Sequence, residues 1–476
     1  MSGTDLHRLT ATAAVDLLRR GEVSPLELID AAADRIAAVD GAVNALPTLC
    51  LDRARDQARR LMEQPAEARG VLAGLPVAIK DYNDLAGVRT TSGSPIFADT
   101  VPETSSHTVT ALEAAGAIPV AKSNVPEFAG ANTFNPVFGP TRNPWDTRMS
   151  VAGSSGGAAA SLAAGMVWLA QGNDLGGSLR TPASFCSVVG LRPSPGLVPR
   201  GPSAMPFSPL TVEGPMARTV ADVALMLDAM AGHNPDDPLS RPAPGTPYVE
   251  ALRDPARPLR VAFSPDLGAT PVERETVALC RAAAERFAGM GCEVVEACTD
   301  FTGAFEAIHT LRAQLFAVWM GPLYEVERDR IAPQIVWNIE KGLALTADQV
   351  ARAEQLRAAL FHRVSAFFDD CDLLLCPAAT VPPFPVTSPW PEEIDGHILD
   401  SYVDWISITF VVTLTACPAL SLPCGFTESG LPVGLQMVGR PRGEAALLAA
   451  AGLLEDALGI SGRVPLDPEI RHRTDA

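Results

Sequence analysis

The chain has 476 residues, 47% of them hydrophobic, and a formal net charge of −18. That is enough for one large domain or two to three ordinary ones, with ample apolar material for a core. The acidity argues against nucleic-acid binding, which needs basic surface to neutralise phosphates, and against adsorption on anionic membranes.

The nine cysteines include no C-x-x-C pair and no Cys/His cluster at zinc spacing. The expectation is reduced thiols in a cytoplasmic protein, with no disulfide framework and no metal. Residues 1–5 carry neither a basic nor an apolar stretch, so no secretory signal is predicted. No apolar run reaches membrane-spanning length; residues 406–414 are too short and contain Ser and Thr.

Residues 8–20 and 24–39 predict two amphipathic helices. Gly21 stops the first; Ser24 and Glu27 form a capping box for the second, with Pro25 at its first position. Residues 52–64 predict a charged surface helix, 74–80 a buried strand, 107–115 a helix and 118–122 a short strand. Residues 124–149, rich in Pro, Asn, Gly and aromatics, predict an ordered loop. A small-residue helix over 157–166 and a strand over 167–171 follow. Thr181 and Pro182 open another helix.

Further on, strands are expected at 259–263, 292–297, 372–376, 419–422 and 433–438. Helices are expected at 272–290, 304–330, 346–368 and 443–458. Residues 232–258 read as a surface connection. Strands alternating with helices imply a parallel or mixed sheet covered on both faces.

Three pieces carry chemistry. Leu175-Gly176-Gly177-Ser178 places a serine after successive backbone N–H groups on a turn, the material of an oxyanion hole. Lys80 closes an apolar run, and a desolvated lysine can act as a base near neutrality. Gly153-Ser154-Ser155-Gly156-Gly157 puts two more serines on a glycine-rich turn. Together they suggest acyl transfer by Ser and Lys. Asp174 and Arg180 flank the Ser178 turn and are expected to pair and brace it.

Two other nucleophiles compete. Residues 153–157 fit G-x-S-x-G with Ser155 central, but that motif needs a preceding strand and a histidine. The residues before it read as loop, and the histidines downstream (His233, His309, His362, His397, His472) sit in ordinary contexts. Cys186 can be a thiol nucleophile or a buried small residue; the second reading is preferred.

The run from Ala152 to Pro193 resembles the defining stretch of the amidase signature family. The resemblance extends to residues 74–81, 122–124, 141–145, 214–220 and 417–423. It implies an α/β/α sandwich around a large mixed sheet, as one domain over 1–476. Within it, 1–70 form N-terminal helices, 71–230 the catalytic core, and 231–476 the rest of the sheet, covering helices and pocket loops. By motif, Ser178 matches the nucleophile, Lys80 the base and Ser154 the bridging serine on a cis peptide. Ser155 supports them, and the N–H groups of Leu175, Gly176, Gly177 and Ser178 match the oxyanion hole. Ala152, Asn173, Ser187 and Arg192 depart from the usual residues without removing a catalytic group; Asn173 is expected to reshape the surroundings of the site.

The implied activity is hydrolysis of small amides through a seryl acyl-enzyme, extending to esters and carbamates or urethanes. No cofactor is implied, and the protein is expected to be a monomer or homodimer. Residues 124–132 match the border of the acyl channel. Their centre, Ala129, Gly130 and Ala131, is small, so bulky apolar or aryl substrates are expected. The alternative is the A chain of a glutamine-dependent amidotransferase, which needs a partner chain. No charged pair to grip glutamine is apparent in residues 382–405, which carry Trp390, Tyr402 and Trp405. A binding protein on a dead scaffold is disfavoured by the complete Lys80, Ser154 and Ser178 set.

Overall fold

A computed structural model describes residues 3–470; Met1, Ser2 and residues 471–476, including His472, lie outside the described residues. Its centre is an eleven-stranded sheet. From one edge the strands run Thr48–Leu49, Ile118–Ser123, Pro76–Lys80, Leu169–Asp174, Val212–Ala217, Val189–Arg192, Ala419–Phe426, Pro432–Val438, Leu373–Pro377, Arg260–Phe263 and Glu293–Glu296. Pro76–Lys80 pairs in parallel with both its neighbours. Arg260–Phe263 does the same at the far side. Between these wings the pairings are antiparallel. The sheet is therefore mixed, as expected.

Alternation along the strands builds two packed layers. Val77 and Ile79 join one apolar cluster, with the helices Val220–Met230 and Glu444–Leu458. Ala78 points the other way, into a cluster with the small-residue helix Gly156–Ala163. The same split separates Leu373 and Leu375 from Leu374 and Cys376. Strands buried on both faces read as continuous apolar runs, which is why their sequences lack a polar side. Lys80 follows Ala78 by two residues and so leaves the sheet on the side of Gly156–Ala163.

Local chemistry fixes the ends. Thr10 caps the first helix, which begins at Ala11 rather than residue 8; Gly3–Arg8 forms a separate 3-10 helix. Gly21 ends it in the left-handed region. The Ser24–Glu27 capping box is present, and this helix runs on to Val43. The expected helix 272–290 divides into Arg274–Ala284 and Arg286–Gly289. Residues 146–150, read as loop, form a strand paired with Arg142–Asn143 outside the main sheet. Helices Pro333–Leu343 and Ser407–Thr413 were not anticipated. Ser407–Thr413 is buried throughout, so its sequence has no apolar stripe to reveal it. Among the described residues no helix is long and apolar enough to cross a membrane.

Candidate active site

The strand Pro76–Lys80 delivers Lys80 to a fully buried position. Its Nζ lies 2.7 Å from Ser154 Oγ, 2.7 Å from Ser155 Oγ and 2.7 Å from Asn173 Oδ1. Burial lowers the Lys80 pKa to about 7, against the carboxylates of Glu213 and Asp174, which raise it. A neutral amine has two N–H donors and one lone pair. Asn173 Oδ1 can only accept, so it takes one donor. Ser155 Oγ lies 3.4 Å from the Asn173 carbonyl, to which its hydroxyl can donate while accepting from Lys80. That leaves the lone pair facing the Ser154 hydroxyl. The arrangement is suited to taking a proton from Ser154.

Ser154 follows a cis peptide bond with Gly153 and precedes the helix Gly156–Ala163. That helix approaches the neighbouring loop closely. A Cβ on Gly157 would lie 2.3 Å from the backbone nitrogen of Asn124, so no larger residue fits.

The glycine turn is held from behind. Asp174 Oδ1 and Oδ2 accept from Arg180 at 2.8 and 3.0 Å, and Arg192 reaches Oδ1 at 3.2 Å. All three are fully buried. Burial alone would push the Asp174 carboxyl up; Arg180 and Arg192 outweigh it and hold it far below the usual carboxylate range. The expected brace is therefore present, with Arg192 as a third member. The same carboxylate accepts from the N–H groups of Gly177 at 3.0 Å and Leu179 at 3.1 Å.

The carbonyls of the turn are also occupied. Arg192 Nη1 donates to the Asp174 carbonyl, Thr413 to Leu175 O at 2.6 Å and Thr409 to Gly176 O at 2.8 Å. Gly177 O accepts from the N–H groups of Arg180 and Thr181. In a trans peptide the N–H points opposite to its carbonyl. The N–H groups of Leu175, Gly176 and Ser178 therefore point away from these partners. Gly177 differs from the expected set of four donors: its N–H is engaged by Asp174, so only the N–H groups of Leu175, Gly176 and Ser178 point away from the turn's own partners. Gly177 itself has φ +116, and a Cβ there would lie 2.1 Å from Thr409 Oγ1. Glycine is required on both counts.

A cavity of about 210 Å³ opens against these elements. Ser154, Asn173, Leu175, Gly176 and Ser178 line it, as do Ala129, Gly130 and Ala131. Lys80, Ser155, Asp174, Gly177 and Arg180 stand behind the wall. Ser154 is thus interposed between the amine and the cavity. Leu315, Phe316, Trp319, Ile406 and Phe410 form an apolar side of the cavity. From residues 382–405 only Val403 reaches it; Trp405 packs on Phe185 and Phe384, and Trp390 on Tyr402.

Several participants were missed in the sequence. Gln171 accepts from the Lys80 backbone N–H at 3.0 Å and donates to Glu213 at 2.5 Å. Tyr82 donates to the Pro126 carbonyl and accepts from the Ala129 N–H, anchoring the small-residue loop. Lone Gln and Tyr residues carry no motif, so only proximity reveals them. Cys186 is fully buried, burial pushes its thiol far up, and it does not line the cavity. Ser155 is buried behind the wall, and among the described residues no histidine lines the cavity. The two competing nucleophile readings therefore lack geometry.

Residues 27–448 match the family model described as Amidase. The chain is 34% identical to an acylamidase of Rhodococcus erythropolis, covering 98% of this chain and 99% of that protein. It is 36% identical to the A chain of a glutamyl-tRNA(Gln) amidotransferase of Moorella thermoacetica, covering 97% and 99%. Among solved structures it is similar to a bacterial aryl acylamidase of the amidase signature family, with TM-score 0.89, 28% identity and coverage of 97% and 99%.

Removing the central anion should expose the brace. Asp174→Asn leaves two buried guanidinium groups without a carboxylate, which costs about 3–5 kcal/mol. Denaturant unfolding should read that loss; a change below about 1 kcal/mol would contradict the role of the pair.

Proposed function

The chain belongs to the amidase signature family, and from that premise we propose that it hydrolyses the C–N bond of small amides, and related esters and carbamates, through a seryl acyl-enzyme. The observation that carries this reading is the buried Lys80 amine, 2.7 Å from a Ser154 hydroxyl that lines the same cavity as Ser178. Ser178 Oγ attacks the substrate carbonyl carbon. Its proton passes to Ser154 as the Ser154 proton passes to Lys80. The N–H groups of Leu175, Gly176 and Ser178 receive the developing oxyanion. Collapse breaks the C–N bond, and the proton returns through Ser154 to the leaving amine. Water then enters by the same proton path and releases the acid and Ser178.

The small Ala129–Ala131 segment and the apolar wall favour bulky acyl or aryl groups. The enzyme works alone, as a monomer or homodimer of one domain, and the free cysteines suit the cytoplasm. The reading as one chain of an amidotransferase draws support from the similarity to such chains. The two part on one measurement: turnover of para-nitroacetanilide by the purified chain with no partner present.

Ser178→Ala should abolish both turnover and labelling by a fluorophosphonate, while Ser155→Ala still labels. Labelling retained by Ser178→Ala would move the nucleophile elsewhere. Lys80→Ala and Ser154→Ala should each cut kcat by orders of magnitude, with non-additive effects in the double variant.

The pH profile follows from Lys80. Its neutral form is the base, so activity is present above pH about 7 and falls as pH drops through that value. Glu213 raises the amine, so Glu213→Gln should shift the acid limb to lower pH. An acid limb unmoved by Glu213→Gln would remove this electrostatic link.

Ala131→Leu should narrow the cavity. Bulky anilides should lose about 1–3 kcal/mol of transition-state binding relative to a two-carbon amide. Equal losses on both, measured as kcat/KM, would take this segment out of the substrate site.

A further inference from the structure

Arg312 is a buried cation on the cavity wall that no carboxylate among the described residues neutralises. It sits on the helix Ala304–Glu327, 5% exposed, and lines the same cavity as Ser154 and Ser178. Its guanidinium donates to Asn338 Oδ1 and, at 2.8 Å, to the Tyr402 hydroxyl. The ring centroids of Phe316 and Tyr402 lie 4.5 and 5.6 Å from its Cζ. Asn338 is held in turn by the Gln334 carbonyl, at 2.7 Å, and by Tyr402. All these partners are neutral, and no ion pair of Arg312 occurs among the described residues. The other cation of the cavity differs: Arg200 faces the carboxylates of Glu213 and Asp237.

A buried guanidinium with only neutral partners is costly unless an anion completes it. Here the residue lines the cavity, and the neutral partners fix the fork in place. A planar fork matches a carboxylate in bidentate geometry, which a neutral carbonyl cannot match in charge. We propose that Arg312 is a substrate-binding residue for a carboxylate, so that the preferred substrates are amides bearing an anionic carboxyl group away from the scissile bond. This rests on the hydrolase reading and names its substrate class. The carboxylate can belong to the leaving amine or to the acyl group.

Two matched pairs test it with the purified chain. One pair is N-acetyl-para-aminobenzoate and its methyl ester, which places the charge on the leaving amine. The other is N-phenylsuccinamate and its methyl ester, which places it on the acyl group. In at least one pair kcat/KM for amide cleavage should favour the carboxylate about 10- to 100-fold, the scale of a hydrogen bond to a charged group. The pair that responds identifies the end of the substrate that Arg312 holds. Arg312→Met should bring that ratio toward one. A residue that only ties helices together would lower both members alike and leave the ratio, which overturns the proposal. So does a wild-type ratio at or below one in both pairs.

Binding to the Ser178→Ala protein separates this from the hydrolase reading and does not require the Met variant to fold. By calorimetry benzoate should bind about tenfold or more tightly than benzamide. Equal binding overturns the Arg312 assignment, whereas tighter benzoate binding by a chain that cleaves no amide would retain it and defeat the hydrolase reading.

Discussion

The site depends on one constraint: an amine must lose its water without gaining a neutralising partner at contact. A solvated lysine holds its proton near pH 10.4 and is useless as a base at neutrality. Here the amine is enclosed, and desolvation outweighs the carboxylates that favour its charge, bringing it to about 7. Those carboxylates, Glu213 and Asp174, act through space, and the atoms touching Lys80 Nζ are neutral oxygens. A direct ion pair would have restored the charge. The choice of serine hydroxyls and an amide oxygen as contacts is therefore what leaves the lysine able to serve as the base of the proposed reaction.

The Asp174 cluster solves the opposite problem. Its carboxylate is kept charged by two buried guanidinium groups while it receives two backbone N–H groups of the glycine turn. Thr409 and Thr413, from a distant part of the chain, bind the turn's carbonyls. The result is a turn with its carbonyls tied back and its remaining N–H groups directed elsewhere. Donors fixed in advance need no reorganisation when charge develops on a substrate oxygen. One anion thus organises a turn whose task, in the proposed reaction, is to bind another.

The cavity joins these two devices to a wall of different character. Its lining combines small residues and backbone with apolar side chains, Phe316, Trp319, Ile406 and Phe410, the last two lying against Gly176 of the serine's turn. Arg312 interrupts that wall. The helix that carries it also presents Leu315, Phe316 and Trp319, so a single element supplies both apolar contact and a fixed positive charge. Asn338, on a helix absent from the sequence expectations, and Tyr402 hold that charge in position.

The sequence by itself determined the alternation of strands and helices, the caps at Ser24 and Gly21, and the separate runs that carry Lys80 and, farther on, Ser154 and Ser178. These are signals over short windows: apolar period, capping residues, glycine at turns. It did not determine that Gly177 gives its N–H to Asp174, or that Asn173 receives the lysine directly. It also missed the buried helix Ser407–Thr413, whose uniformly enclosed residues leave no polar face to mark a period. Gln171, Glu213, Arg192 and Arg312 acquire their parts only where separate strands and helices meet. Their side chains have no local pattern to announce them, because the fields and partners that define them come from residues far away in the chain.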